Sequence, residues 1–293
     1  MYVTSSPEGP LDIDAVPLMG YLITSHLASA GRDVRPIISH SDVADFIESL
    51  APPRGDDEGF KFGNPRTETR GILVCFMATL EAMATAARLG CNLIVHHEEL
   101  HVPYTFRDPD LHKYMAWPVN TARFGRLAKL DLTAYRAHGQ LDRFCILDGF
   151  ARKLGLGEPS VREGYHRVYE MDPVSVGELA ARMKKQVGMP HVRVSGDLDR
   201  VVRRAGLPWG GLGLSVNVGF LNGLLQYDPD VLIAGECDEY AFRFTEDAGI
   251  PMIEMGHSVS ENPGLQEFAG VLGRQFPDLA VHYHEVPCPW RTV

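Results

Sequence analysis

The chain has 293 residues, of which 45% are hydrophobic and 23% are charged, as in an ordinary globular protein with a sizeable core. Its formal charge of −10 argues against a nucleic-acid-binding surface, because such surfaces carry a basic excess. No segment resembles a secretion signal and no apolar run approaches membrane-spanning length, so we expect no membrane association. The five cysteines are odd in number and form no CxxC pair, which indicates reduced thiols and a cytoplasmic protein.

The first part of the chain is the least regular. Residues 1–40 contain loop-forming residues and one short apolar segment, and we interpret them as an N-terminal extension. The next segment, "SHSDVADFIESLAP", has apolar residues at helical spacing and predicts a helix capped by Ser41 or Asp42. The polar, glycine-containing stretch "RGDDEGFKFGNPRTETRG" is predicted to be a loop.

A regular alternation of strand and helix begins at residue 71. "GILVCFMA" (71–78) and "CNLIV" (91–95) are apolar runs typical of strands that are covered on both faces. Between them, "TLEAMATAARLG" opens with Thr79 and closes on Gly90, which predicts a helix. The pattern indicates a β-α-β unit with parallel strands, and His96 and His97 come directly after its second strand.

The same arrangement recurs three times. "DLTAYRA" is a predicted strand followed by "HGQLD" (138–142), "DVLIAGE" (230–236) is a strand that ends on a glutamate, and "IPMIEMG" (250–256) is a strand followed by "HSVSE". A capping box of Ser175 and Glu178 predicts another helix start. After the last strand, Asn262 and Pro263 fit the N-cap and first position of the final helix.

Ligand-type side chains therefore follow four predicted strands. In open α/β sheets the carboxyl ends of strands form the binding crevice, because loops and helix N-termini converge there. A lone histidine is more often structural than a ligand, but the recurrence at equivalent places favours a metal site. The candidate ligands are His96, His97, His138, Asp142, His257 and Glu261.

Four imidazoles and two carboxylates exceed the needs of one tetrahedral ion and suit two divalent ions. Imidazole with carboxylate favours Zn, Mn, Fe, Co or Ni over Ca. Adjacent His96 and His97 point in opposite directions in a regular strand. Both reach one site if the chain bends there, or if two ions lie side by side.

These motifs resemble those of the Nif-three-like dinuclear-metal proteins, whose bacterial members are often labelled GTP cyclohydrolase I type two. The motifs that carry the resemblance are, in order, "HH" (96–97), "HGQLD" (138–142), "GLPWGGLG" (206–213), "AGE" (234–236) and "GHSVSE" (256–261). The resemblance covers roughly residue 40 to the end. It implies two α/β domains with mixed or largely parallel sheets and a dinuclear site in the cleft between them. It also implies homo-oligomers, of which a hexameric ring is one form.

On this basis we expect a first domain at 41–165, which carries the HH and HxxxD motifs. A second domain is expected at 166–293, with the glycine-rich turn and the GE and GHxxSE motifs. The C-terminal segment is a candidate to pack back on the first domain. Many relatives continue the HH pair with proline or glycine, whereas this chain has "EELHVPYTF", which adds Glu98, Glu99 and His101. The substrate is therefore not inherited with the motifs.

The motifs favour a hydrolase in which a metal-bound hydroxide attacks a small polar substrate, such as a cyclic amide or a nucleotide-like C–N bond. Glu98 or Glu236 is the candidate group that moves the proton, and Glu236 is also a candidate to orient a ligand histidine. A non-catalytic metal-binding regulator or metal carrier needs the same ligands and is the alternative. A purely structural metal site is a third interpretation.

Overall fold

The computed structural model describes residues 37–53, 57–103, 112–291 and 293, so the expected N-terminal extension lies almost entirely outside the described residues. The chain forms two compact units. In the described residues, the N-terminal unit comprises the chain up to Phe144 together with Leu265–Glu285, and the central unit comprises Cys145–Gly264 together with Val286–Val293. The described residues of each unit form one sheet.

The strands, in chain order, are β1 (Gly59–Phe62), β2 (Gly71–Cys75), β3 (Leu93–His96), β4 (Thr133–Arg136), β5 (Val161–Glu163), β6 (His166–Ser175), β7 (Arg193–Ser195), β8 (Val201–Gly206), β9 (Val231–Ala234), β10 (Met252–Glu254) and β11 (Ala280–His284). The α-helices are α1 (His40–Leu50), α2 (Leu80–Arg88), α3 (His112–Met115), α4 (Pro118–Lys129), α5 (Gly139–Leu141), α6 (Leu147–Leu154), α7 (Val176–Val187), α8 (Val218–Leu225), α9 (Glu239–Asp247) and α10 (His257–Gln275). A π-helical segment covers Asp142–Ile146, and the glycine-rich turn contains the 3₁₀ helix Gly210–Gly213.

The sheet of the N-terminal unit has the order β1-β4-β3-β2-β11. Its strands β4, β3, β2 and β11 are parallel, and β1 is antiparallel to β4. Every residue of β2, β3 and β4 is buried, and β2 and β3 are correspondingly nearly continuous apolar runs. The predicted parallel β-α-β unit is confirmed in β2, α2 and β3.

The prediction of a loop over "RGDDEGFKFGNPRTETRG" is wrong in part, because Gly59–Phe62 within it forms the edge strand β1. The ring of Phe60 packs edge-to-face on Tyr135 at 5.0 Å, and Phe62 lies 6.0 Å from Phe124. These contacts with side chains distant in sequence stabilise a strand that its local composition disfavours.

Two predicted helix starts are confirmed and two are wrong. Thr79 caps α2, and the Ser175–Glu178 capping box opens α7. Helix α1, in contrast, is capped by Ser39, whose hydroxyl accepts from the Asp42 N–H, and not by Ser41 or Asp42.

Helix α10 begins at His257, so Asn262 and Pro263 lie inside it and do not start it. Gly256, at φ 110°, ends the preceding segment and allows the helix to start at once. Burial of Leu265 and Phe268 stabilises the helix beyond the proline, which lacks one N–H donor.

The sheet of the central unit has the order β5-β6-β8-β9-β10-β7. Strands β8, β9 and β10 are parallel, while β5, β6 and β7 pair antiparallel. The two sheets with their helices confirm the predicted mixed α/β class. Among the described residues, no helix combines the length and apolarity needed to cross a membrane.

Candidate metal site

The histidine pair lies at the carboxyl end of β3, and both imidazoles are fully buried. Nδ1 of His96 lies 2.8 Å from the Glu98 carbonyl oxygen, and Nδ1 of His97 lies 3.0 Å from the Ala137 carbonyl oxygen. A carbonyl oxygen only accepts, so each Nδ1 carries the proton and donates it. The lone pair of each ring is consequently on Nε2, the tautomer in which Nε2 binds a metal.

Burial lowers the pKa of His96 to about 3, with the nearby Arg136 charge acting in the same direction and the bond to the Glu98 carbonyl opposing it. The ring is therefore neutral at physiological pH, as metal binding requires. Among the described residues, Nε2 of His96 has no hydrogen-bond partner. A buried lone pair without a donor is the condition that a divalent ion would satisfy.

The HGQLD motif follows β4 and brings two more ligand-type groups beside the pair. Ligand atoms of His97, His138 and Asp142 all lie within 4.8 Å of one another. The rings of His97 and His138 are 4.8 Å apart, and Nε2 of His97 is 3.6 Å from Oδ1 of Asp142. His96 lies outside this three-residue group.

An acidic cluster surrounds these histidines, and Arg136 lies within it. The side chain of Arg136 is fully buried and contacts Asp57 as well as Glu99 at 3.0 Å and Glu98 at 3.9 Å. One guanidinium offsets one of these three negative charges, so the cluster favours the binding of further positive charge. The donor set and the charge therefore both fit a divalent cation.

The residues that follow the histidine pair have separate roles. Oε1 of Glu98 is 3.6 Å from Nε2 of His138, so this carboxylate lies on the ligand side of that ring. Glu99 is held by Arg136 and by the Leu100 N–H, and its Oε1 is 3.8 Å from Nε2 of His101.

Sequence reasoning missed Asp57, which lies in the stretch predicted as a loop. Its Oδ2 is 2.7 Å from Nδ1 of His138. An acidic residue two positions before a glycine carries no local signal of this role. Knowledge that β1 pairs with β4 would have placed Asp57 beside His138.

The central unit holds the remaining predicted ligands in one place. His257 begins α10, and its Nε2 is 3.2 Å from Oε1 of Glu261, one helical turn on. Its Nδ1 is 2.9 Å from Oε2 of Glu236, which follows β9. The carboxylate accepts from Nδ1–H, so His257 also presents Nε2.

The glycine-rich turn packs against this group. Gly210 has φ 53°, and a Cβ there would clash with Oε1 of Glu261 and lie 3.4 Å from Nε2 of His257. The Gly210 N–H donates to the Ser260 hydroxyl at 2.9 Å, while its carbonyl accepts from the Glu236 N–H. Glycine is required here because the backbone passes directly over the Glu261 carboxylate.

Comparison with known proteins points to one family. The model of the family described as Duf34/NIF3 (NGG1p interacting factor 3) matches residues 38–289. A "GTP cyclohydrolase 1 type 2 homolog" of Clostridium perfringens is 24% identical over 244 residues, which are 77% of this chain and 87% of that protein. One of the same description from a Nostoc species is 29% identical over 210 residues, 67% of this chain and 74% of that protein.

Solved structures share the fold. A Bacillus cereus protein described as related to NIF3 has a TM-score of 0.73 at 15% identity, covering 88% of this chain and all of that one (100%). A Staphylococcus aureus hypothetical protein has a TM-score of 0.73 at 16% identity, with 88% and 100% coverage. At such identities the likeness establishes the fold alone.

Proposed function

The chain belongs to the Duf34/NIF3 family, as its strand-end motifs predict, and from this premise we propose that it is a divalent-metal-dependent hydrolase of small polar substrates. The proposed ligands of two transition-metal ions (Zn, Mn, Fe, Co or Ni) are His96, His97, His138, Asp142, His257 and Glu261. The observation that carries the proposal is common to all four histidines: an acceptor engages Nδ1 of each ring, so that each presents Nε2.

Such ions, when bound, supply Lewis acidity that activates water and polarises a carbonyl or C=N group. The chain's own residues orient the ligands and move protons. Glu98, 3.6 Å from Nε2 of His138, is the proposed group that takes a proton from water and returns it to the leaving nitrogen. Glu236 accepts from Nδ1 of His257, and this contact favours an orienting role over proton transfer.

The substrate class rests on chemistry and on the names of relatives. The ligand set suits hydrolysis of a cyclic amide or a nucleotide-like C–N bond, and two relatives are described as GTP cyclohydrolase 1 type 2 homologs. GTP is therefore the first compound to assay, followed by cyclic amides and other nucleotides. We also propose a homo-oligomer, which light scattering of the purified protein tests.

Elemental analysis of the purified protein is the first test. About two transition-metal ions per chain are expected, with loss in both His97→Ala and Glu261→Ala. His191→Ala, which changes an exposed histidine, is the matched control and should keep the metal. Absence of bound metal, even after reconstitution with Zn, Mn and Fe, would overturn the proposal.

Turnover separates the enzyme from the metal carrier or regulator. Hydrolysis that disappears on chelation and returns with metal supports the enzyme. A metal that exchanges freely, with no turnover of any tested substrate, supports the carrier. Hydrolysis that survives complete removal of metal would contradict the mechanism.

A further inference from the structure

The acidic pair Asp57–Glu58, directly before β1, contacts the loop that carries His138 and Asp142. We infer that Asp57 is a positioning residue that fixes His138 in its metal-binding tautomer. Arg136 holds the Asp57 carboxylate in place, and Glu58 holds the backbone of the loop that carries His138. The inference rests on the proposed metal site and goes beyond it, since none of the three is a proposed ligand.

The sheet register explains how this pair reaches the loop. Strand β1 is antiparallel to β4, with Gly59 opposite Arg136. In an antiparallel pair, the residues before one strand run beside the residues after the other. Asp57 and Glu58 therefore lie beside the chain that follows Arg136.

The two carboxylates have different targets in that loop. Oδ2 of Asp57 is 2.7 Å from Nδ1 of His138, and the carboxylate only accepts, so His138 donates through Nδ1–H. Oε1 of buried Glu58 accepts from the Gln140 N–H at 2.6 Å. Asp57 thus fixes the ring and Glu58 the backbone two residues on.

Arg136 holds Asp57 from the opposite side. The other oxygen of Asp57, Oδ1, is paired with Nη1 of Arg136. The guanidinium is in turn held by the His97 carbonyl at 2.9 Å and by Glu99 at 3.0 Å. With one oxygen on Arg136 and the other on His138, Asp57 is placed to orient the ring.

Removing such a partner typically weakens metal binding by about 10- to 100-fold, because the ring loses its preferred tautomer and part of its basicity. The test compares the full-length protein with Asp57→Asn, which keeps the shape but not the charge, and with Asp57→Ala. Asp131→Asn is the control, because it makes the same change at a side chain that is 88% exposed in the same unit.

Two readouts are needed. Titration of the metal-free proteins with Co²⁺, followed by its visible absorption, reports affinity and ligand geometry. ¹⁵N NMR of metal-free protein, at a pH above the usual histidine pKa, reports which nitrogen of His138 carries the proton; a His138→Gln spectrum assigns the signal.

We expect about 10- to 100-fold weaker Co²⁺ binding and a changed absorption band in both Asp57 variants, with wild-type behaviour in Asp131→Asn. We also expect Nδ1–H in wild type and a shift toward Nε2–H in Asp57→Ala. Unchanged affinity in a folded Asp57→Asn, together with an unchanged tautomer in a folded Asp57→Ala, would overturn the inference. If wild type takes up no Co²⁺ while the tautomer still depends on Asp57, the proposed function fails and the positioning role stands.

Discussion

Glu236 and His257 are joined by a hydrogen bond of 2.9 Å from Nδ1 of the imidazole to Oε2 of the carboxylate. His257 begins α10, and Glu236 follows the fully buried strand β9, so two separate elements fix this bond. The bond determines which ring nitrogen is available to a metal. Nδ1 is occupied, and Nε2 points toward Oε1 of Glu261 at 3.2 Å.

Loss of this bond should weaken metal binding without unfolding the protein. For Glu236→Gln we expect Co²⁺ affinity to fall by about 10- to 100-fold, because the neutral amide holds the ring less firmly and lowers its basicity. Calorimetric titration measures the change. Glu239→Gln, at a side chain 83% exposed, is the control, and equal affinities in the two variants would contradict an orienting role.

Gly210→Ala should displace the Glu261 carboxylate. Alanine at φ 53° is strained, by about 1–2 kcal/mol, and its Cβ would meet Oε1 of Glu261. We expect both a lower midpoint of thermal unfolding and weaker metal binding. Gly219→Ala, where no atom lies within 4 Å of the added Cβ, should leave metal binding unchanged and should not lower the midpoint. A normal metal content in Gly210→Ala would refute the argument.

A close contact within the central unit predicts a purely structural effect. A Cβ at Gly149 in α6 would lie 2.7 Å from Cα of Gly264 in α10. Gly149→Ala should therefore destabilise the protein by about 1–3 kcal/mol, as overpacking does, with urea unfolding as the measurement. Gly125→Ala, at an unobstructed position in α4, should be neutral or slightly stabilising.

The stability of the metal-free protein should depend on pH through His166. Burial lowers the pKa of His166, and the bond from its Nε2 to the Phe220 carbonyl and the nearby Glu163 charge only partly oppose this. Below about pH 6.5 the imidazole is protonated more readily in the unfolded chain than in the folded protein. The free energy of unfolding therefore falls as pH falls.

His166→Gln should remove part of that dependence. Between about pH 7.5 and about pH 5.5, the free energy of unfolding, measured with urea, should fall less for the variant than for wild type. The difference should be smaller than that for the full uptake of one proton, because the ring is partly exposed. The exposed His191→Gln should behave as wild type. An identical pH dependence in His166→Gln would show that the ring titrates normally in the folded state.

Much of the candidate site could be predicted because its ligands follow apolar runs. Strand β3 is buried on both faces, so its run of leucine, isoleucine and valine is recognisable, and His96 and His97 stand out at its end. Glu236 follows the apolar run of β9 in the same way, and His138 follows β4, which is equally buried. Local capping chemistry likewise predicted the starts of α2 and α7.

What sequence could not supply was contact between residues distant in the chain. The sequence made the C-terminal segment only a candidate to pack back on the first domain. Its partner strand is visible in the structure alone, where β11 pairs parallel with β2 and the compact units divide between Phe144 and Cys145.

The sequence by itself determined the buried strands that precede the candidate ligands and the identity of those ligands, because buried strands and helix caps have recognisable local patterns. Only the tertiary structure decided which groups stand behind those ligands. Asp57 lies 81 residues from His138, and nothing local in "DDEGF" distinguishes it from a solvated loop. The pairing of β1 with β4 brings the two together, since strand register acts across the fold and not along the chain.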